Sequence, residues 1–209
     1  SARLIQEGKI LLTFRIPYEE LQLTPVLDPN DHSWFLAEAG LKKDSLTIWV
    51  LDQQRDSLIM EVRDGSRFTD TLRISLRRTD SPSRTPGFLP AFAARQGGTW
   101  PHFQNFSLGS PVPLSNVEHS LIQLFLNDTI PIDADFGFTD DIRRQIRMDT
   151  PPEPDKKYLL KVLPGALTDV FGNMNDSLVR SFKTSSTEDF GKLLLDLDLP
   201  DGSGNYILQ

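Results

Sequence analysis

Apolar residues recur at every second position in short runs, and Gly, Pro, Asn or Asp closes each run. Residues 10–16 carry Ile, Leu, Phe and Ile on alternate positions, and residues 46–50 carry Leu, Ile and Val in the same way. A period of two places such residues on one face of a β-strand, whereas an amphipathic helix has a period of about 3.6. Turn residues recur about every 8–12 positions, which is typical of packed sheets. The sequence therefore predicts an all-β fold.

The stretch 158–184 is the most informative part of the chain. Its first run begins at Tyr158 and ends before Pro164, and its second run ends in Phe182-Lys183-Thr184. Between the runs lies Asp169-Val170-Phe171-Gly172-Asn173, in which Asp and Asn can bond to nearby backbone groups and Gly accepts a positive φ. We interpret this stretch as two strands joined by a long turn. We expect Val170 and Phe171, which are too apolar for a free loop, to plug the end of the sandwich.

These elements resemble the bacterial immunoglobulin-like domain first described in S-layer proteins. That family has a strand containing Tyr, then an Asp-x-x-Gly-Asn turn and a closing Phe-x-Thr, which correspond here to Tyr158, residues 169–173 and residues 182–184. The chain is also similar to Bacteroidetes envelope lipoproteins that contain such domains. The resemblance implies immunoglobulin-like β-sandwiches outside the cytoplasm, in an outer-membrane-associated or periplasmic protein with a lipid anchor in its precursor. It implies no shared catalytic residue.

We expect two tandem immunoglobulin-like β-sandwiches, at residues 1–79 and 104–186. A weak internal repeat supports the division, since residues 43–48 and 69–75 are similar to residues 156–161 and 175–181. The predicted strands are residues 10–16, 20–27, 33–38, 46–51, 58–62, 72–76, 105–113, 121–127, 130–138, 143–148, 158–163 and 177–184.

The segment between the two modules breaks the alternation. Residues 79–103 contain four prolines and three glycines, so we predict a connector at 80–103 without regular elements. Its apolar group, residues 88–94, either packs on a module or binds a partner, and packing is favoured.

The C-terminal segment, residues 187–209, is predicted to be a β-hairpin that begins a further, truncated module. Leucines occupy positions 193, 195, 197 and 199 and alternate with Lys192, Leu194, Asp196 and Asp198. A leucine face of this kind needs cover, so we expect the hairpin to dock on a neighbouring surface or on another copy of the chain.

Composition excludes several classes of function. The net charge of −7 argues against nucleic-acid binding, which needs a clustered positive surface. The chain has no cysteine, which excludes disulfides and thiolate metal sites. No run approaches the roughly 18 apolar residues of a membrane span, so we expect no membrane insertion by this chain. No cofactor and no metal is predicted.

Few residues are candidates for chemistry. His32, His102 and His119 lack the spacing of metal ligands, and we expect them on the surface. The acids at positions 133, 135, 140, 141 and 153 form either a solvated face or a calcium or glycosidase site, and the solvated face is favoured. Asp169 and Asn173 either cap a turn or hold a cation, and the cap is the simpler interpretation.

The tryptophans give the one specific ligand hypothesis. Trp34, Trp49 and Trp100 are candidates for stacking against sugar rings, although packing in the core or between modules is more common for such residues. Burial of all three would remove this hypothesis. The sequence therefore predicts a non-enzymatic structural or interaction module whose partner is a protein or a cell-surface polymer. The alternative is a carbohydrate-binding module, and a hydrolase would need His and acidic side chains in one pocket.

Overall fold

The computed structural model describes residues 2–6, 8–52, 54–76, 87–149, 151–191, 194 and 196. Over these residues the regular structure is strand, apart from two single-turn 3-10 segments. Every sheet draws its strands either from residues before 76 or from residues after 87. In this part of the chain, neither helical segment has the length or the apolar character that crossing a bilayer requires.

The described residues of the first module form seven strands in two antiparallel sheets. One sheet has the order β1-β2-β5-β4 and the other the order β3-β6-β7. This is the ABED and CFG arrangement of a constant-type immunoglobulin domain. The strands are β1 (Ala2–Gln6), β2 (Lys9–Thr13), β3 (Leu21–Pro25), β4 (Phe35–Ala39), β5 (Ser45–Val50), β6 (Ser57–Asp64) and β7 (Phe68–Ser75).

The core of the first module follows the predicted alternation. Ile10 and Ile48 face Leu58 and Met60 across the sandwich, and none of these four side chains is exposed to solvent. Ile16 was predicted on the same face as Ile10, and that prediction is wrong, because Ile16 is 66% exposed. The strand ends at Thr13, after which the N–H of residue 14 bonds to the carbonyl of residue 44 and the chain leaves the ladder.

The second module repeats the arrangement with more strands. Its sheets have the orders β14-β15-β10-β8 and β13-β12-β16-β18-β9, and β11 and β17 form a small third sheet. The first order is again that of strands D, E, B and A, and the second extends C, F and G with a flanking strand on each side. The strands are β8 (Ala91–Phe92), β9 (Thr99–Trp100), β10 (Ser107–Gly109), β11 (Leu114–Val117), β12 (Ile122–Leu126), β13 (Ile130–Ile132), β14 (Phe136–Phe138), β15 (Gln145–Met148), β16 (Lys157–Val162), β17 (Leu167–Asp169) and β18 (Leu178–Thr184).

The prediction that residues 79–103 hold no regular element is wrong for β8 and β9. Strand β8 pairs with β10, and β9 pairs with β18 in parallel. The prolines do not prevent this, because Pro90 directly precedes β8 and Pro101 directly follows β9, so neither has to donate to the ladder. Phe92 stacks on Trp100 at 5.5 Å, so the apolar group packs on the second module. Residues 77–86 lie outside the described part, and the start of the connector stays a prediction.

The predicted strand 130–138 is wrong as a single element, because β13 and β14 belong to different sheets and the chain crosses between them at residues 133–135. The predicted C-terminal hairpin begins with a 3-10 turn at Thr187–Asp189, capped by Ser186. Its leucine positions 193, 195, 197 and 199 and its turn at 200–204 lie outside the described residues, so the hairpin stays a prediction.

The core of the second module contains a cluster of buried aromatic side chains. Phe106 packs edge-on against Phe182 at 5.0 Å and against Tyr158 at 5.3 Å, and each is at most 3% exposed. The Tyr158 hydroxyl accepts the backbone N–H of Glu153 at 3.0 Å. A tyrosine at the start of strand F that bonds back to the preceding loop is the tyrosine corner of this fold. Burial raises the pKa of Tyr158 above its ordinary value.

The turn at residues 169–173 is built around one buried carboxylate. Asp169 is 2% exposed, and its Oδ1 accepts the N–H groups of Phe171 at 2.8 Å and Asn173 at 2.9 Å. Its Oδ2 accepts from Asn173 Nδ2 at 2.9 Å. Gly172 has φ +83°, which completes the turn. The carboxylate is therefore satisfied by the protein itself, and the turn-cap interpretation is confirmed.

Replacing Asp169 with Ala should lower the free energy of unfolding by about 3 kcal/mol, because buried N–H groups lose a charged acceptor. Urea denaturation followed by circular dichroism measures the change. The matched control is Asp141→Ala, which removes an exposed carboxylate and should change stability by less than about 0.5 kcal/mol. Equal effects of the two variants would contradict this account of the turn.

Replacing Tyr158 with Phe should cost about 1 kcal/mol near pH 7, since one hydrogen bond is lost. The pKa of the phenol is raised in the folded state, so the folded state favours the neutral form. That contribution is fully present below the unfolded pKa and is lost as the pH rises through the folded pKa. The wild-type chain should therefore lose stability above about pH 10 more steeply than the Phe variant. Parallel stability curves in alkali would contradict the assignment.

Candidate functional site

All three candidate tryptophans are buried. Trp34 is 6%, Trp49 0% and Trp100 7% exposed. The guanidinium of Arg55 lies 4.1 Å above the ring of Trp34, and Phe92 covers Trp100. The Trp100 Nε1 donates to the carbonyl of residue 104 at 2.8 Å. No indole face of these three residues is open to a sugar ring, so their burial removes the hypothesis that they stack against sugars. Carbohydrate binding elsewhere on the chain stays an untested prediction.

The three histidines occupy separate places. His32 contacts Phe35 in the first module, whereas His102 and His119 belong to the second. The His102 ring lies 3.0 Å from the Ser185 hydroxyl. That hydroxyl already accepts the backbone N–H of His102 at 3.0 Å, and the imidazole also packs against Phe190. Among the described residues, no acid bonds to this imidazole, so the pair lacks the third group of a catalytic triad.

One groove does combine a histidine with acids. It has a volume of about 370 Å³ and is lined by His119, Ser120, Asp133 and Asp135, among others. The Ser120 hydroxyl donates to the carboxylate of Glu118 at 2.7 Å and not to the imidazole. Within the described part of the chain no hydrogen bond connects the His119 ring to either Asp. The groove therefore lacks the bonded nucleophile and base that acyl transfer requires.

The remaining acids do not converge. The carboxylate-bearing residues at 133, 135, 140, 141 and 153 are all exposed. Over the ranges that the structure covers, no three His, Asp or Glu side chains are grouped as ligands for a metal ion. Asp31 is half-buried, and hydrogen bonds from Ser33 lower the pKa of its carboxyl group.

The side chains that do converge lie at the junction between the two modules. Trp49 projects from the outer face of the β1-β2-β5-β4 sheet and has no exposed surface. Its ring lies 6.5 Å from Phe171, the residue in the turn of the second module. The sequence predicted that Phe171 plugs the end of its own sandwich, and that prediction is wrong. Phe171 contacts the neighbouring module, because the turn that carries it projects beyond the end of β17.

A charged network surrounds this aromatic contact. Glu38 accepts from Trp49 Nε1 at 2.9 Å through Oε2 and from Arg144 Nη1 at 2.6 Å through Oε1. Arg144 also donates from Nε to the carbonyl of Ser110 at 3.2 Å, which fixes it to the second module. Lys9 Nζ lies 4.7 Å from the centre of the Trp49 ring. Glu38 thus ties the core of the junction to an arginine that the other module holds in place.

Gly8 makes the close approach of the modules possible. It lies in the β1–β2 turn with φ +74°, and a Cβ there would come within 2.6 Å of the Phe171 ring. Any other residue at this position would displace the ring and strain the turn. We name these residues the junction: Gly8, Lys9, Glu38 and Trp49 from the first module, and Ser110, Arg144 and Phe171 from the second.

Sequence analysis found part of the junction. Packing between modules was one of the roles expected for Trp49, and Phe171 was too apolar for a free loop. Glu38 and Arg144 are 106 positions apart, and no local pattern links two surface charges at that separation.

Comparison with known proteins gives no family. No protein-family model matches the chain, and no curated protein matches it. One similar solved structure is Dpr2 Ig1-Ig2 in complex with DIP-Theta Ig1-Ig3, with 9% identity, 86% of this chain and 92% of that chain covered, and a TM-score of 0.28. Another is the N-terminal Ig1-2 module of the Drosophila receptor protein tyrosine phosphatase DLAR, with 12% identity. That match covers 87% of this chain and 92% of that chain, with a TM-score of 0.25. At these TM-scores neither carries an argument, and the immunoglobulin-like assignment rests on strand order.

Replacing Phe171 with Ala should expose Trp49 without touching the core of either module. We expect stronger acrylamide quenching of tryptophan fluorescence and a red-shifted emission from one of the three indoles. Met174→Ala is the matched control, since Met174 lies in the same turn region and is 57% exposed. Unchanged quenching in the Phe171 variant would show that the modules do not meet through this ring.

Proposed function

We propose that this chain is a non-enzymatic interaction and spacing element. Two immunoglobulin-like modules, held at a fixed angle by the junction, present strand edges and loops to a protein or a cell-surface polymer. The observation that carries the proposal is the complete burial of Trp49 on the outer face of a sheet, against a residue of the other module. A large aromatic side chain in that position disfavours independent motion of the modules, because separation would expose it to water.

The polar contacts of the junction support a single arrangement. The Glu38 and Arg144 side chains are 26% and 37% exposed, so their ion pair is screened and adds little stability. Its geometry is specific, however, because each partner is also held by a hydrogen bond within its own module. Such a network selects one orientation of two surfaces more than it strengthens their contact.

The proposed location is the bacterial cell envelope, outside the cytoplasm. It is supported by the resemblance of residues 169–173 and 182–184 to the S-layer type domain. The immunoglobulin-like topology of both modules is compatible with it. Protease treatment of intact cells that produce the parent protein should degrade this region if it lies at the surface. A periplasmic protein becomes sensitive only after the outer membrane is permeabilised, and protection in both conditions would contradict an envelope location.

The rigidity of the pair can be measured directly. The chain has no cysteine, so Gln22→Cys and Val179→Cys create one labelling site on each module at exposed positions. After spin labelling of the two cysteines, pulsed electron–electron double resonance should give one narrow distribution of the distance between the labels in the otherwise unchanged chain. Adding Phe171→Ala and Glu38→Ala should broaden the distribution, and adding Met174→Ala should leave it unchanged. A broad distance distribution in the chain without the junction substitutions would contradict the proposed spacing role.

A further inference from the structure

The first module has an open groove along one edge. The groove has a volume of about 460 Å³ and lies between β2 and β7. Its apolar walls include Leu12 and Phe14 on the β2 side and Phe68 and Leu72 on the β7 side. Asp70 and Arg73 of β7 also line it. We call it the edge groove. It is the larger of the two grooves described above.

The groove is open because β7 ends its sheet. The inward residues of β6, such as Leu58 and Met60, are fully buried. The residues beside them on β7 are much less covered, since Phe68 is 37% exposed and Leu72 and Ile74 are only half-buried. Among the described strands, none pairs with the outer edge of β7. An added strand at this edge would gain backbone hydrogen bonds and could place alternate side chains in the groove.

Residues 192–199 of this chain have the pattern that such a strand requires. Leucines at 193, 195, 197 and 199 share one face, which suits the apolar groove. The other face carries Asp196 and Asp198. In an added strand, this acidic face would continue the solvent-facing side of the β3-β6-β7 sheet. That side carries Arg73, which pairs with Ile59, and Arg63, which pairs with Thr69. The segment directly after β7, residues 77–86, contains no apolar side chain except its prolines and lacks the leucine pattern of residues 192–199.

The edge groove and the C-terminal end of β18 lie away from the junction, at opposite ends of the two-module unit. In the first module, the junction residue Lys9 begins β2, and the groove residues Leu12 and Phe14 lie at the other end of that strand. In the second module, β18 starts beside the turn that carries Phe171 and runs away from it for seven residues, about 20 Å. The leucine segment follows the far end of β18. A second copy of the chain is therefore the occupant that the geometry favours.

We propose that residues 192–199 of one copy add as a strand to the free edge of β7 in a second copy. This inference rests on the proposed role as an interaction element and names its partner. The leucine face enters the edge groove, and Asp196 and Asp198 lie near Arg73. Because the two contacting surfaces differ, the contact is heterologous, and copies join head to tail into assemblies that lengthen with concentration.

The edge carries one feature that an incoming strand must displace. Asp70 Oδ1 accepts the backbone N–H of Thr71 at 2.8 Å, so the side chain already occupies one donor of the strand. An incoming carbonyl would replace this carboxylate. Removing the carboxylate therefore favours association, whereas a purely structural role of Asp70 would not change it.

Sedimentation velocity on the full chain over a range of concentrations tests the proposal. The wild-type chain should show an average mass that rises with concentration. Leu195→Asp and Leu197→Asp should each weaken association at least about tenfold, since a buried leucine is lost. The matched control is Leu194→Asp, on the opposite face of the segment, which should associate as the wild type does. Asp70→Ala should associate more tightly.

Charge exchange tests the contact from the groove side without disturbing the core. Arg73→Glu, at an exposed position, should weaken association, and adding Asp196→Lys and Asp198→Lys should restore it. Because the chain has no cysteine, a mixture of the Thr71→Cys and Leu194→Cys variants should form a mixed disulfide under mild oxidation. A disulfide between two copies of the Thr71→Cys variant would instead mean that two β7 edges pair with each other, which overturns the proposal.

Two further results would overturn it. One is a monomeric wild-type chain at every concentration, and the other is association that ignores both the Leu195 and the Arg73 substitutions. A narrow inter-module distance in a strictly monomeric chain would remove this inference and leave the proposed function intact. A broad distance distribution in a chain that associates through residues 192–199 would contradict the fixed spacing of the modules and leave the proposed self-association intact.

Discussion

The contact of Trp49 with Phe171 is the interaction on which the two-module arrangement depends. Each sandwich has its own core, and the two buried clusters share no residue. What makes them one unit is an aromatic pair across the junction, with Glu38 bonded to both Trp49 and Arg144. The absence of a side chain at Gly8 is equally necessary, because the Phe171 ring occupies the space beside it. Loss of the Trp49–Phe171 contact would leave both cores intact and would remove the contact that defines the angle between the modules.

Inside the second module, aromatic packing and two local hydrogen-bond sites replace covalent bonds. The chain has no cysteine, so no disulfide joins its sheets. Phe106, Tyr158 and Phe182 fill the centre instead, and the Tyr158 hydroxyl fixes the loop that precedes β16. Asp169 orders the long turn by the same principle, since its carboxylate supplies acceptors to N–H groups that would otherwise lack partners. The turn is therefore rigid enough to hold Phe171 against the other module.

The sequence predicted the features that depend on local periodicity. Alternation identified the central strands of both modules, and turn chemistry identified the role of Asp169. It failed where strands are very short, as in β8, β9 and β17, because two or three residues carry no readable period. It also failed to separate β13 from β14, since a strand that crosses between sheets keeps its alternation. The junction depends on pairs of residues that are distant in sequence, and only the fold brings them together.

The parallel pairing of β9 with β18 has a mechanical consequence. Strand β18 is the last described strand of the second module, and β9 follows only the two-residue β8 at the start of that module. Strands β9 and β18 lie side by side and run in the same direction. Tension applied through the ends of the module would slide one strand along the other, so that the bonds between them share the load and break together. Antiparallel terminal strands would instead peel apart one bond at a time. A module built in this way resists pulling, a property suited to a spacer under traction.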